Sequence, residues 1–253
     1  MISLDERLAG LLARLPDLDL HGRLLQAVDD ADAAPVFTTS LGLEDQVITA
    51  AIAAGGLPIR IVTLHTGRLF PETVDLIERT EAHFGIGIVN STYDLADEAD
   101  YVETYGMNGF YESRAARHAC CWFRKMKPLA RALKGADTWI TGLRRGQSDA
   151  RLATPFAELD SGRGLIKINP LADWDLGRIE RFVAEHAIPV NPLHARGYPS
   201  IGCEPCTRAV KPGEPERAGR WWWENDDTRE CGLHVGPRDG VVSHVRTGGE
   251  AHV

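Results

Sequence analysis

The run Val36-Phe37-Thr38-Thr39-Ser40-Leu41-Gly42-Leu43-Glu44-Asp45 passes from β-branched and aromatic residues, through a Ser-Leu-Gly turn, into a helix of small apolar residues from Glu44 to Ala54. The same strand-loop-helix order returns downstream. Ile59 to Leu64 has strand composition, Thr66-Gly67 marks a loop, and Pro71-Glu72 opens a helix reaching about His83; proline suits a first helical turn, whose N–H has no partner anyway. Ile86 to Val89 and Thr138 to Thr141 read as further strands, Leu165 to Ile168 as a strand or half of a hairpin, and a helix follows Asp173. Strands alternating with helices predict an α/β fold in three layers, with a parallel sheet covered on both faces and ligands at the carboxyl ends of its strands. The loops at Ser40 and Thr66 are therefore expected to line one site.

Upstream, Leu8, Leu11, Leu12 and Leu15 recur at helical intervals and predict two short amphipathic helices split near Pro16. Beyond Pro189 the chain becomes rich in Pro, Gly, Cys and Trp and loses periodicity. Irregular structure there needs support other than a hydrophobic stripe, and a metal centre would supply it.

Across 253 residues, 28 Lys and Arg face 36 Asp and Glu, a net charge of -8. That balance argues against a protein that grips nucleic-acid backbones. No apolar run approaches the roughly 20 residues that span a bilayer, and Asp5, Glu6, Asp17 and Asp19 stand where a signal peptide would be apolar. The expectation is a cytoplasmic protein with no nucleic-acid or membrane partner. In that reducing compartment its five cysteines are read as ligands or reactants, not as disulfides.

Cys120-Cys121 and Cys203-Glu204-Pro205-Cys206 supply four thiolates in two groups, the ligand number of a cubane iron-sulfur cluster. A four-cysteine zinc site is the competitor, but neighbouring cysteines diverge and suit one small tetrahedron poorly. Cys231, in Glu230-Cys231-Gly232-Leu233-His234, is left as a free thiol near the end of the chain.

With these residues the sequence resembles the assimilatory adenylyl-sulfate reductases of the PAPS/APS reductase family, iron-sulfur type. The likeness is carried by the Cys-Cys pair, the distant Cys-x-x-Cys and the terminal Glu-Cys-Gly-Leu-His, joined by Thr141-Gly142-Leu143-Arg144-Arg145-Gly146-Gln147-Ser148, Ile201 to Arg208 and Gly219-Arg220-Trp221-Trp222-Trp223-Glu224. The resemblance implies the adenine nucleotide alpha-hydrolase fold, related to the ATP pyrophosphatases, with the Ser40 loop in place of their pyrophosphate loop. That loop lacks the paired glycines and Asp-Ser ending of the pyrophosphatase motif, which disfavours ATP cleavage. His65 stands where the family usually has Asp, and Trp122-Phe123 where smaller residues are frequent. The expected organisation is one domain, 1–234, made of N-terminal helices (1–32), a nucleotide-binding core (33–190) and a cluster and catalytic segment (191–234). A flexible tail, 235–253, follows.

The resemblance further implies one 4Fe-4S cluster on Cys120, Cys121, Cys203 and Cys206, and adenosine 5′-phosphosulfate (APS) as substrate in sulfate assimilation and cysteine biosynthesis. Attack of the Cys231 thiolate on the sulfuryl sulfur would expel AMP and leave a thiosulfonate. No further cysteine is left to resolve that adduct, so an external dithiol, thioredoxin or glutaredoxin, is implied. The three sulfuryl oxygens demand fixed cations, for which Lys125, Arg217 and Arg220 are the candidates; the last two are three residues apart, one face if their segment is helical. Arg124 and Lys127 are as readily a solvated basic face, and Trp221 to Trp223 are read as hydrophobic anchors. The nucleotide is expected among Ser40, Gly42, Glu44, Leu64, Thr66, Gly142, Arg144, Arg151 and His234. A phosphoadenylyl-sulfate (PAPS) or dual-specificity reductase and a non-catalytic metal-binding redox sensor are the alternatives, and the sequence is compatible with a homo-oligomer.

Overall fold

A computed structural model describes residues 2–224. Its centre is a six-stranded sheet built from β1 (Val36–Thr39), β2 (Arg60–His65), β3 (Val89–Thr92), β4 (Thr138–Ile140), β5 (Ala157–Asp160) and β6 (Leu165–Ile168). The spatial order is β3-β2-β1-β4-β6-β5, parallel except for the β5–β6 pair. The expected hairpin half at Leu165 is thus half of a real antiparallel hairpin. From β1 the chain builds outward through β2 and β3, then crosses back to place β4 on the other side of β1. The crevice at that reversal is where a ligand site is expected in an open α/β sheet.

Both faces of the sheet are buried, and the period-2 alternation of strand side chains assigns the residues to them. Phe37, Ile61, Ile140, Ile166 and Ile168 join one apolar cluster, while their neighbours Val36, Val62, Trp139 and Leu165 join another. The first cluster is covered by α1 (Leu4–Arg14), α2 (Leu20–Asp30), α3 (Leu43–Gly55), α4 (Pro71–Phe84) and α8 (Leu176–Glu185). The second packs on Leu129, Ala132 and Leu133, in and just after α7 (Lys127–Ala132). The two N-terminal helices, split at Pro16 as expected, are tied down by buried arginines. Arg7 bonds Asp30 and Asp137 at 2.9 Å each, and Arg23 reaches Asp173 and the carbonyls of Leu15 and Pro170.

One strand is displaced from its expected place. The strand expected over Ile86 to Val89 runs Val89–Thr92, as β3. The apolar Ile86-Gly87-Ile88 instead completes the end of α4, where Gly85 adopts a left-handed φ of 65° and the amides of Ile86 and Ile88 bond Glu81. A hydrophobic contact after a left-handed cap is a common helix ending, and it leaves a mostly polar edge strand that pattern reading misses. No helix among the described residues is long and apolar enough to cross a membrane.

Candidate active site

At the β1 end, Leu41 takes a left-handed φ of 61°, a strained conformation for a branched residue. Its side chain is buried, and its backbone amide donates to Thr39 Oγ1 at 3.0 Å. This kink turns Ser40 toward the start of α3, where Ser40 N and Oγ both donate to Asp45 Oδ2, at 2.5 and 2.7 Å. Burial pushes the Asp45 carboxyl up to about 6 from 3.8, against the pull of the Ser40 hydrogen bonds. Across from it, Gly142 ends the β4 loop so close that a Cβ there would collide with Asp45 Oδ1.

A folded carboxyl that holds its proton more tightly than the unfolded one adds stability below pH ~4, and that contribution is lost as pH rises through ~6. Asp45→Asn keeps an acceptor for Ser40 and removes the titration. Denaturant unfolding across that range should show wild-type stability falling by about 3 kcal/mol relative to the variant. A flat difference would show that Asp45 does not titrate there.

These loops bound a cavity of about 190 Å³, lined by Ser40, Gly42, Glu44, Leu64, Thr66 and Gly142, with Lys125, Arg151, Arg217 and Arg220. Ten sequence-expected residues therefore meet in one place. Arg144 is not among the lining residues. It lies behind the wall, 1% exposed, with Nε 2.6 Å from Glu44 Oε1 and Nη2 2.6 Å from Glu216 Oε2. His65 ends β2, paired with Thr92, and does not line the cavity either.

Arg217 and Arg220 do not lie on a helix. Pro215 and Gly219 break the segment into turns, the Arg220 amide bonds the Arg217 carbonyl at 3.0 Å, and Arg220 forms an isolated bridge with Thr207. Close packing against Gly202, where any Cβ would strike the Arg220 guanidinium, carries that side chain to the cavity instead.

The thiols occupy an adjoining pocket, lined by Cys120, Cys121, Cys203 and Cys206 with Arg68, Phe110, Arg117, Arg124, Lys125, Pro205 and Trp221. Cys120 and Cys121 end α6 (Arg114–Cys121), and a π-helical turn, Trp122–Met126, follows directly. Such wide turns recur at functional sites because they re-aim side chains. Here Arg124 turns inward to the Thr66 carbonyl at 2.6 Å and to Glu98, while Lys125 lines both cavities. Lys127 pairs with Asp97 and is 40% exposed at its side chain, a solvated face.

Cys203 and Trp221 also line both cavities, and Cys203 Sγ lies 3.3 Å from Thr66 Oγ1. Burial raises the Cys120 thiol, and burial with the neighbouring Cys203 pushes Cys206 up to about 12. Among the described residues no three His, Cys, Asp or Glu side chains converge to hold a single metal ion. Cys231 and His234 lie outside the described residues, as does the 235–253 tail.

Residues 34–209 match the phosphoadenosine phosphosulfate reductase domain. The chain belongs to this family. An adenosine 5′-phosphosulfate reductase of Sinorhizobium fredii (strain NBRC 101917 / NGR234) is 66% identical over 233 residues, 92% of each chain. One from Allochromatium vinosum is 56% identical over 199 residues, 79% of this chain and 78% of that protein. The crystal structure of a phosphoadenylyl-sulfate reductase from Candida auris, a phosphate complex, superposes with a TM-score of 0.68 at 27% identity, covering 83% of this chain and 98% of that one. The mostly parallel sheet is that of the adenine nucleotide alpha-hydrolase fold, as expected.

Within this phosphosulfate reductase domain the thiol pocket suits an anionic, sulfur-rich group. Arg117 Nη1, Arg124 Nε and Trp221 Nε1 are buried donors with no acceptor, and all three residues line it. Sulfur acceptors in the pocket would satisfy them.

The sequence reading missed several residues that line the reductase cavity or its wall: Asp45, Trp139, Gln147, Glu216 and Trp221. Trp221, read as an anchor, is 1% exposed with φ 44°, and its ring lies 4.8 Å from the Arg117 guanidinium and 4.7 Å from that of Arg220. A buried, bulky residue in the left-handed region is a signal that only coordinates carry. Trp222 and Trp223 do anchor, packing on Tyr111.

Arg117 holds this segment in place through Glu224, with Nε and Nη2 at 2.5 and 3.0 Å from its carboxylate. Both side chains are more than nine-tenths buried, so Arg117→Met leaves a buried charge uncompensated. The expected loss is ~3 kcal/mol in denaturant unfolding, and a loss below ~1 kcal/mol would show that Glu224 finds water instead.

Proposed function

We propose that the protein reduces adenosine 5′-phosphosulfate to sulfite and AMP in sulfate assimilation and cysteine biosynthesis, in the cytoplasm. The observation that carries this reading is a nucleotide-sized cavity at the sheet's switch point that shares Lys125, Cys203 and Trp221 with a four-thiol pocket. The curated relatives' names agree in substrate.

In this reading the Cys231 thiolate forms an S–S bond to the sulfuryl sulfur while the S–O bond to AMP breaks, giving a Cys231 thiosulfonate. Lys125, Arg217 and Arg220 bind the phosphosulfate oxygens and offset the repulsion of the incoming thiolate. A thiolate of thioredoxin or glutaredoxin then attacks Cys231 Sγ and releases sulfite. Its second thiol resolves the mixed disulfide, so the dithiol supplies both electrons. Cys120, Cys121, Cys203 and Cys206 would hold a 4Fe-4S cluster, which would supply a fixed electrostatic environment beside the substrate.

Anaerobically purified protein should contain iron and acid-labile sulfide in equal amounts, and should form sulfite from APS with reduced thioredoxin. Zinc with no sulfide would sink the cluster assignment; no sulfite from APS would sink the activity. The second reading, a PAPS reductase, is favoured by the Candida auris similarity, and turnover faster with PAPS than with APS would select it.

A further inference from the structure

We infer that Glu44 selects nucleotides with a free ribose 3′-hydroxyl, accepting a hydrogen bond from the ribose and repelling a 3′-phosphate. The inference rests on the adenosine phosphosulfate reading above and adds a specificity-determining residue to it.

Cations and carboxylates both line the cavity, with Arg217 near Glu216 and Arg151 near Asp45. Lys125 and Arg220 stand in the field of Cys206, at the end that adjoins the thiol pocket. Glu44 stands in the fields of both Asp45 and Glu216, at the end where Ser40, Gly42 and Gly142 close the wall. A phosphosulfate ester that presents its sulfuryl sulfur to Lys125, beside the thiols, extends its ribose and base away from the thiol pocket, into the part of the cavity that Glu44 lines.

Glu44 is fixed where it stands. Its Oε1 accepts from Arg144 Nε at 2.6 Å and from Gln147 Nε2 at 3.0 Å. Its Oε2 accepts no hydrogen bond among the described residues, and a methyl group on Gly42 would lie 3.8 Å from it. That leaves one carboxylate oxygen, in the first turn of α3 and at the cavity wall, without a hydrogen bond among the described residues. A carboxylate so placed accepts from a ribose hydroxyl, as acidic residues do in dinucleotide sites, and rejects a phosphate dianion.

Two nearby cations, Arg144 and Arg151, are engaged by other neighbours. Arg144 is held between Glu44 and Glu216, the latter 2.6 Å from its Nη2. Arg151 donates Nη1 to Gln147 Oε1 at 2.5 Å and sits in the field of buried Asp45. A 3′-phosphate would meet Glu44 with neither Arg144 nor Arg151 released from its neighbours to receive it.

The test is equilibrium binding of AMP and of adenosine 3′,5′-bisphosphate to the anaerobic full-length holoprotein, which needs no turnover. Wild type should prefer AMP by at least about tenfold, and Glu44→Gln should shrink that preference by about tenfold, chiefly by tightening the bisphosphate. Glu44→Ala takes its place if the glutamine variant does not fold. Equal wild-type affinity for the two ligands, or an unchanged ratio in the variant, overturns the inference. A sulfite assay reads the parent proposal separately: no sulfite from either nucleotide, with the AMP preference intact, removes the reductase reading and leaves this one standing.

Discussion

Cys231→Ser should lower sulfite formation from APS by on the order of a thousandfold or more, with nucleotide affinity within a few-fold of wild type. The argument is one of protonation and polarisability. A thiol is ionised in useful amounts near neutral pH and its soft sulfur attacks sulfur well, whereas a serine hydroxyl holds its proton. Because the proposed cluster takes four of the five cysteines, none is left to substitute. Mass spectrometry supplies the second readout: wild type incubated with APS and no dithiol should gain one SO3 group on the peptide containing Cys231, and the serine variant none. Sulfite release by the variant at near the wild-type rate would remove the nucleophile assignment. Loss of both sulfite and AMP binding would mean that the substitution had damaged the fold.

Lys125→Ala should reduce kcat/KM for APS by about a hundredfold or more, with part of the loss in kcat. Lys125 is the one cationic side chain among the described residues that lines both the nucleotide cavity and the thiol pocket. In the proposed reading it therefore sits between the phosphosulfate charge and the thiols. A cation there lowers the repulsion that grows as a thiolate closes on an anionic sulfuryl group, an interaction stronger in the transition state than in the bound substrate. Lys125→Arg keeps the charge with a different shape and should recover part of the activity. A variant in which KM alone rises would assign Lys125 to substrate binding only. Iron content should be measured alongside, since loss of the cluster would account for inactivity differently.

The grouping of four thiols was legible because it resides in residue types and local spacing. Cys120-Cys121 with Cys203-x-x-Cys206 point to a shared ligand set without reference to any fold, and their four thiols do surround one pocket. The α/β class was equally accessible, because period-2 and period-3.6 hydrophobic patterns are local properties of the chain. Contacts between distant segments were another matter. Arg144 has the composition of a phosphate ligand, yet Glu44 and Glu216, 100 and 72 residues away, draw it behind the wall. Trp221 has the composition of an anchor, yet its positive φ turns it to face both cavities.

What the sequence determined by itself is the strand-loop-helix frame, the grouping of Cys120, Cys121, Cys203 and Cys206 and the cations available to an anionic substrate. Tertiary structure alone decided which cations reach the cavity, that Asp45 is buried under Ser40, and that β3 begins at Val89 while Ile86 and Ile88 serve a helix cap. The physical reason is range. Strand and helix periodicity and ligand spacing are set within a few residues. Burial, charge pairing and the direction of a side chain depend on partners a hundred residues away, brought together only when the sheet closes.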